Sequence, residues 1–311
     1  MFTGRLKHEI PVALEAFVDV FLPMQLVELD LSDNAFGPAG AKPLMKLLTE
    51  NRFIQVLKLN NNGLGIEGGR CIAQALVDAQ EKNKAESKKS SLRIIQMGRN
   101  RLESAGARHL IKAFEAHSES LEQIKMPQNS IRPDVMKELM ACLSKCSNLN
   151  HLDLQDNTFT DVGSFALAEA LPHWPQLSIL NVGECLLRSP GSKEIFKVLK
   201  ENHVHLEKLY LSFNEINQEA AEEIPEMLKN KKNLIALELN GNEFDPQGSV
   251  VRDILAQLKM HGHEDALDEL DEMEFGESDD EESEEEQSDQ EKPSAEDEDE
   301  VTKAIHQLKL K

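Results

Sequence analysis

One apolar pattern, L-x-x-L-x-L-x-x-N-x-L, returns eight times along this chain and constrains its fold more than any other feature. The copies begin at Leu26 (LVELDLSDNAF), Ile54 (IQVLKLNNNGL), Leu92 (LRIIQMGRNRL), Leu121 (LEQIKMPQNSI), Leu149 (LNHLDLQDNTF), Leu177 (LSILNVGECLL), Leu206 (LEKLYLSFNEI) and Leu234 (LIALELNGNEF). Successive starts lie 28, 38, 29, 28, 28, 29 and 28 residues apart. In the first half of each copy apolar and polar residues alternate, as in Leu29-Asp30-Leu31, which predicts a short strand with one buried face. The asparagine that follows turns the chain, and its amide can serve backbone groups that no sheet ladder reaches. These asparagines are Asn34, Asn62, Asn100, Asn129, Asn157, Asn214 and Asn242; Cys185 takes the place in the sixth copy, as a smaller donor expected to be buried.

The second half of each copy predicts an amphipathic helix, with apolar spacings of three and four such as Leu110, Ile111 and Phe114, or Leu167 and Leu171. A period of 28 to 29 residues leaves room for a full helix. The expected fold is therefore α/β: a leucine-rich-repeat solenoid of about eight full repeats, a curved horseshoe with parallel strands inside and helices outside. An aliphatic core fits this, since aromatic residues make up only 5% of the chain. The single long interval is explained by a polar, lysine-rich insertion, Glu81 to Ser90, expected as an exposed loop. At the start, Phe2-Thr3-Gly4-Arg5 followed by Ile10, Leu14, Phe17 and Phe21 resembles the loop and helix of a repeat whose strand would precede Met1, so the chain is expected to begin inside the solenoid, as a truncated gene product, an isoform or a fragment.

The net charge of -22 is concentrated at one end. Between Glu264 and Glu300 there are 22 acidic residues against Lys292, a balance of -21, so the remainder, with 34 acids and 33 bases, carries -1. Three regions follow: a repeat domain over 1–260, an acidic tail without the apolar content to fold alone over 261–300, and a short segment of helical spacing over 301–311. Nucleic acid is not an expected partner, because phosphate binding needs clustered Lys and Arg; a basic protein surface suits the tail. Ser278, Ser283 and Ser288 lie in acidic runs that suit acid-directed kinases. Cys71, Cys142, Cys146 and Cys185 form no CxxC pair, with Cys142 and Cys146 read as core residues of one helix, and there is no signal-peptide pattern or apolar run long enough to insert in a membrane.

Beyond the repeat itself, FTGR before a helix opening EIP, then LSDNAFGP, LNNNGLG, GRNRLE, MPQNSI, LQDNTFT and LNGN in order ahead of an acidic tail, resembles the Ran GTPase-activating protein family over about residues 2 to 260. The resemblance implies a ribonuclease-inhibitor-like coil and GTP-bound Ran as partner. It also implies a cytoplasmic, perinuclear place supporting nucleocytoplasmic transport, and an activator that has no cofactor and no catalytic residue of its own. In that family GTP hydrolysis is stimulated without an arginine finger; an asparagine holds the catalytic glutamine of the GTPase against the attacking water. That asparagine falls on Asn61, beside the inward Asn62, and the FTGR arginine falls on Arg5. Lys7, Asp33 and Arg99 are further candidates on the same rim. For each, an ordinary solvated surface residue is the competing reading. Animal members continue into a further domain that tethers them at nuclear pores, and a chain ending at Lys311 would lose that anchoring.

No HExxH, G-x-x-x-x-G-K-[ST] or G-x-S-x-G pattern occurs, and His203-Val204-His205 and His261-Gly262-His263 have no partners that complete a metal site. The glycines of Gly63-Leu64-Gly65 are read as turn residues. The alternative to an activator is a non-catalytic repeat scaffold or inhibitor, which would bind stoichiometrically without turnover.

Overall fold

Eight three-residue strands line up in chain order as one parallel sheet: β1 Glu28–Asp30, β2 Val56–Lys58, β3 Ile94–Gln96, β4 Gln123–Lys125, β5 His151–Asp153, β6 Ile179–Asn181, β7 Lys208–Tyr210 and β8 Ala236–Glu238. The computed structural model describes Leu6 and residues 8–275. The sheet is in register on the fourth position of each repeat, Leu29–Leu57–Ile95–Ile124–Leu152–Leu180–Leu209–Leu237. Each of these side chains is buried, while its two strand neighbours face the open side. That is the period of two expected for a strand with one covered face.

Between strands the chain returns through α1 Glu9–Phe21, α2 Gly37–Glu50, α3 Gly65–Ala85, α4 Glu103–Ala116, α5 Pro133–Leu143, α6 Thr160–Ala170, α7 Arg188–Glu201, α8 Gln218–Ala221, α9 Ile224–Leu228 and α10 Ser249–Met260. Every return runs on the same side of the sheet, so neighbours in sequence become neighbours in space and the strands stay parallel. The core is one continuous seam, mostly aliphatic, with Phe36, Phe114, Phe159, Trp174, Phe196 and Phe244 buried in it. Leu31, Leu59, Met97, Met126, Leu154, Val182, Leu211 and Leu239 from the strand side meet Leu44, Ile72, Leu110, Leu139, Leu167 and Ile195 from the helices. Fully burying each such side chain contributes about 1.5–3 kcal/mol. In the seventh repeat the helix is broken in two, because Pro225 has no N–H to donate and its ring displaces the preceding turn.

The structure corrects the sequence reading in three places, the first being that Cys142 and Cys146, though both buried, do not share a helix, since α5 ends at Leu143. The insertion expected as an exposed loop is in its first half helix: α3 runs on to Ala85, and Asn83 is buried. Glu81, Lys82, Lys84 and Ala85 are good helix formers, with the lysines at the favourable C-terminal end of the dipole. The boundary placed at residue 260 also moves. Ala266 is buried and Leu267, Leu270 and Met273 pack on the core. Leu237 N–H donates to Ala266 O (2.7 Å) and Asp268 N–H to Leu237 O (3.1 Å), so this segment covers the edge of β8. The Asp268 carboxylate accepts from the N–H groups of Leu239 (2.8 Å) and Asn240 (3.1 Å). A few apolar residues among the acids suffice here, because an uncovered edge strand is the feature that most needs a partner. The region from 276 on, including 301–311 and the three tail serines, lies outside the described residues.

A second polar row closes the opposite ends of the repeats. Just before the first leucine of successive copies, a side chain reaches back to a carbonyl of the preceding repeat. Asn51 donates to Met24 O (2.6 Å), His117 to Leu76 O (2.9 Å), Trp174 to Leu143 O (2.8 Å), His203 to Leu171 O (2.9 Å) and Lys231 to Leu199 O. Cys146 occupies the equivalent place in a turn beyond α5, buried like the other three cysteines.

Candidate functional site

At the C-terminal ends of the strands the chain must turn from sheet to helix within a few residues. It does so through a left-handed residue repeated in every copy: Asp33 (φ 61°), Asn61 (51°), Arg99 (55°), Gln128 (53°), Asp156 (52°), Glu184 (55°), Phe213 (54°) and Gly241 (69°). The N–H of each non-glycine member donates to the next repeat, as Asp33 to Asn60 O, Asn61 to Gly98 O and Arg99 to Pro127 O, all at 2.9 Å. Asp and Asn enter this region at little cost, whereas larger side chains are held there by the coil. The geometry turns each of the seven non-glycine side chains out onto a rim and the following residue inward.

The inward residues form the asparagine ladder. Asn62 is fully buried; its amide donates to Leu31 O (2.9 Å), Leu59 O (3.1 Å) and Asn60 O (3.2 Å), and its oxygen accepts from Asn34 N–H (3.0 Å). Asn100, Asn129, Asn157, Asn214 and Asn242 repeat the pattern of bridging their own repeat to the one before. Asn34 begins the row, bonding Leu31 O and Ser32 O. At Cys185 the thiol stands 3.3 Å from Leu154 O and 3.2 Å from Gly183 O.

Of the outward candidates named from sequence, three sit side by side on consecutive repeats. Asn61 is exposed, and its Nδ2 donates to Asp33 Oδ1 at 2.9 Å. Arg99 is exposed on the next repeat, makes no ion pair with any described residue, and edges a shallow groove with Pro127, Gln128, Gln155, Asp156 and Glu184. Arg5 and Lys7 lie outside the described residues. Gly63 and Gly65, at φ 62° and 58°, carry the chain from Asn62 into α3, around the buried Leu64.

The open face of the sheet carries charges that the repeat pattern does not single out. Lys58 pairs with Glu28 and lies 4.0 Å from Asp30. On the open face, His151 of β5 lies within electrostatic reach of Lys125 on β4 and Lys208 on β7, and Lys125 within reach of Asp153 on β5. Burial, then the charges of Lys125 and Lys208, push the His151 imidazole down to about 4, so it is neutral at physiological pH. Burial lowers Lys125 and raises Asp153. The only signal for these residues in the sequence is their place on the solvent side of a strand. Among the described residues no group of three or more His, Cys, Asp or Glu is placed to hold a metal, and no helix is long and apolar enough to cross a membrane. His203 is turned into the repeat end, while His205 is exposed. The rim is thus equipped to meet another molecule with amide, carboxylate and guanidinium groups held at fixed spacing.

Strand, ladder asparagine, left-handed rim residue and returning helix, stacked in order, define a leucine-rich-repeat protein. The family described as Leucine Rich repeat matches at residues 24–45, 50–73, 145–168 and 202–224. The chain is 40% identical over 252 residues to Ran GTPase-activating protein 1 of Saccharomyces cerevisiae, covering 79% of this chain and 62% of the yeast protein. It is 39% identical over 265 residues to Ran GTPase-activating protein 1 of Xenopus laevis, with 84% of this chain and 46% of the relative covered. To Ran GTPase-activating protein of Drosophila melanogaster it is 35% identical over 253 residues, with coverages of 80% and 42%. These relatives, 35–40% identical over about 80% of the chain, are all Ran GTPase-activating proteins. The chain spans less than two thirds of their length, from 42% to 62%. A crystal structure of a TLR13–ssRNA13 complex aligns with 80% of this chain and 29% of its own at a TM-score of 0.41 and 15% identity.

Proposed function

We propose that this chain stimulates GTP hydrolysis by the small GTPase Ran, and that it does so by restraining Ran's own catalytic glutamine without supplying an arginine finger. The observation that carries this reading is the pairing of Asn61 with Asn62: adjacent asparagines with opposite assignments, one exposed and left-handed on the rim, the other buried in the ladder. A rim amide held by the coil is preorganised, so restraining a mobile group on the partner costs less at the interface. Asp33 and Arg99 flank it on a continuous edge, and Arg5 and Lys7 extend the proposed contact along the chain. GTP-bound Ran is the partner, in the cytoplasm and around the nucleus, in support of nucleocytoplasmic transport; the acidic tail would meet a basic protein surface. The test is hydrolysis by GTP-loaded Ran with the protein at trace, substoichiometric amount. Stimulation is expected, with Asn61→Ala reducing it about 10²-fold, the scale of losing one aligned transition-state hydrogen bond. Stoichiometric binding without turnover would instead make the chain a scaffold or inhibitor.

A further inference from the structure

We propose that Asp33 is a positioning residue that fixes which edge of the Asn61 amide faces the partner; this rests on the activator reading above. An isolated asparagine side chain on a surface presents a donor or an acceptor as it turns. Here it has no such choice. Asp33 Oδ1 stands 2.9 Å from Asn61 Nδ2, and a carboxylate can only accept. The amide NH₂ is therefore turned to Asp33, on the preceding repeat. Asn61 Oδ1 accepts no hydrogen bond from any described residue, so it is left as an unused acceptor on the rim. Both residues are left-handed (φ 61° and 51°), and both have their N–H groups tied to the next repeat, so their backbones hold the two side chains in place. The partner group that meets the Asn61 oxygen is thus a hydrogen-bond donor, an amide N–H or a hydroxyl, while the second Nδ2 hydrogen, on the side away from Asp33 Oδ1, is the amide's one remaining donor.

Asp33→Gly removes the acceptor while tolerating the positive φ, so it separates positioning from folding. Asp33→Asn keeps an oxygen that can accept the same bond in a residue suited to the same backbone. Two readouts decide the matter. In the NMR spectrum the Asn61 side-chain NH₂ pair is expected to be shifted and protected in the wild type and in Asp33→Asn, and to collapse to exposed-amide values in Asp33→Gly. With GTP-loaded Ran as the substrate, Asp33→Gly is expected to lower kcat about 3- to 10-fold, the scale of freeing one side chain, with KM nearly unchanged. Asp33→Asn restores kcat, and in an Asn61→Ala background Asp33→Gly has no further effect. An Asn61 amide signal indifferent to Asp33→Gly overturns the proposal, as does an equal loss of kcat in the Asn61→Ala background, which would make Asp33 a direct contact. Absence of stimulation by the wild type overturns the activator reading, while the amide spectrum still decides the orientation.

Discussion

Replacing Asn129 separates what a ladder asparagine gives as donor from what it gives as acceptor. Its side chain is fully buried and donates to Met97 O (2.9 Å), Met126 O (3.1 Å) and Pro127 O (3.2 Å). Each of those carbonyls keeps a second donor: Asn100 Nδ2, Asn157 Nδ2 and Arg99 N–H respectively. The oxygen matters more. It accepts from the N–H groups of Asn100 (3.1 Å) and Leu102 (3.4 Å), both buried and with no other acceptor. Asn129→Ala therefore strands two donors, at about 1–3 kcal/mol each, for a total of about 2–6 kcal/mol. Against a typical total stability of about 5–15 kcal/mol this is a large share. Asn129→Asp keeps both acceptor contacts but turns a carboxylate toward three carbonyl oxygens. It should be at least as damaging at neutral pH and should recover in acid, where the protonated carboxyl can donate again. Urea unfolding followed by circular dichroism at pH 7 and pH 4, each variant referred to wild type, measures both effects. A loss below about 1 kcal/mol for Asn129→Ala, or an Asn129→Asp variant as stable as wild type at pH 7, would refute the assignment of the ladder as the link between repeats.

Two further outcomes concern pH. Burial, aided by the charges of Lys125 and Lys208, holds the His151 imidazole down to about 4 from 6.5, so the unfolded chain takes up a proton first as pH falls. Stability from this group is full above pH 6.5 and is lost on the way down to about pH 4, and His151→Asn should flatten that acid limb; equal slopes for both proteins would contradict it. Lys231 is fully buried against the carbonyls of Leu199 and Asn202 and the Asn230 side chain, and burial lowers it from 10.5 to about 8. Between those values the folded state has released a proton that the unfolded state retains, so wild type should gain stability relative to Lys231→Met as pH rises from about 8 toward 10.5, read from paired urea midpoints.

The repeat alone made most of the fold legible in the sequence. Leu29, Leu57, Ile95 and their successors recur at one spacing and must share one environment, and Asn61 and Asn62 could be told apart because only one falls on the ladder position. Periodicity reports what each repeat has in common. It is silent where repeats meet one structural need with different chemistry. Asn51, His117, Trp174, His203 and Lys231 are not of one residue type, yet all satisfy a carbonyl of the preceding repeat. It is equally silent at the ends of the pattern, where Asp268 and its apolar neighbours close the edge of β8 with no motif to announce them. The Asn61–Asp33 bond crosses 28 residues of chain and 2.9 Å of space. Sequence determined the period and therefore the coil. Only the stacked coil decided which side chains meet across adjacent turns, because that depends on the twist and spacing of whole repeats and not on any one of them.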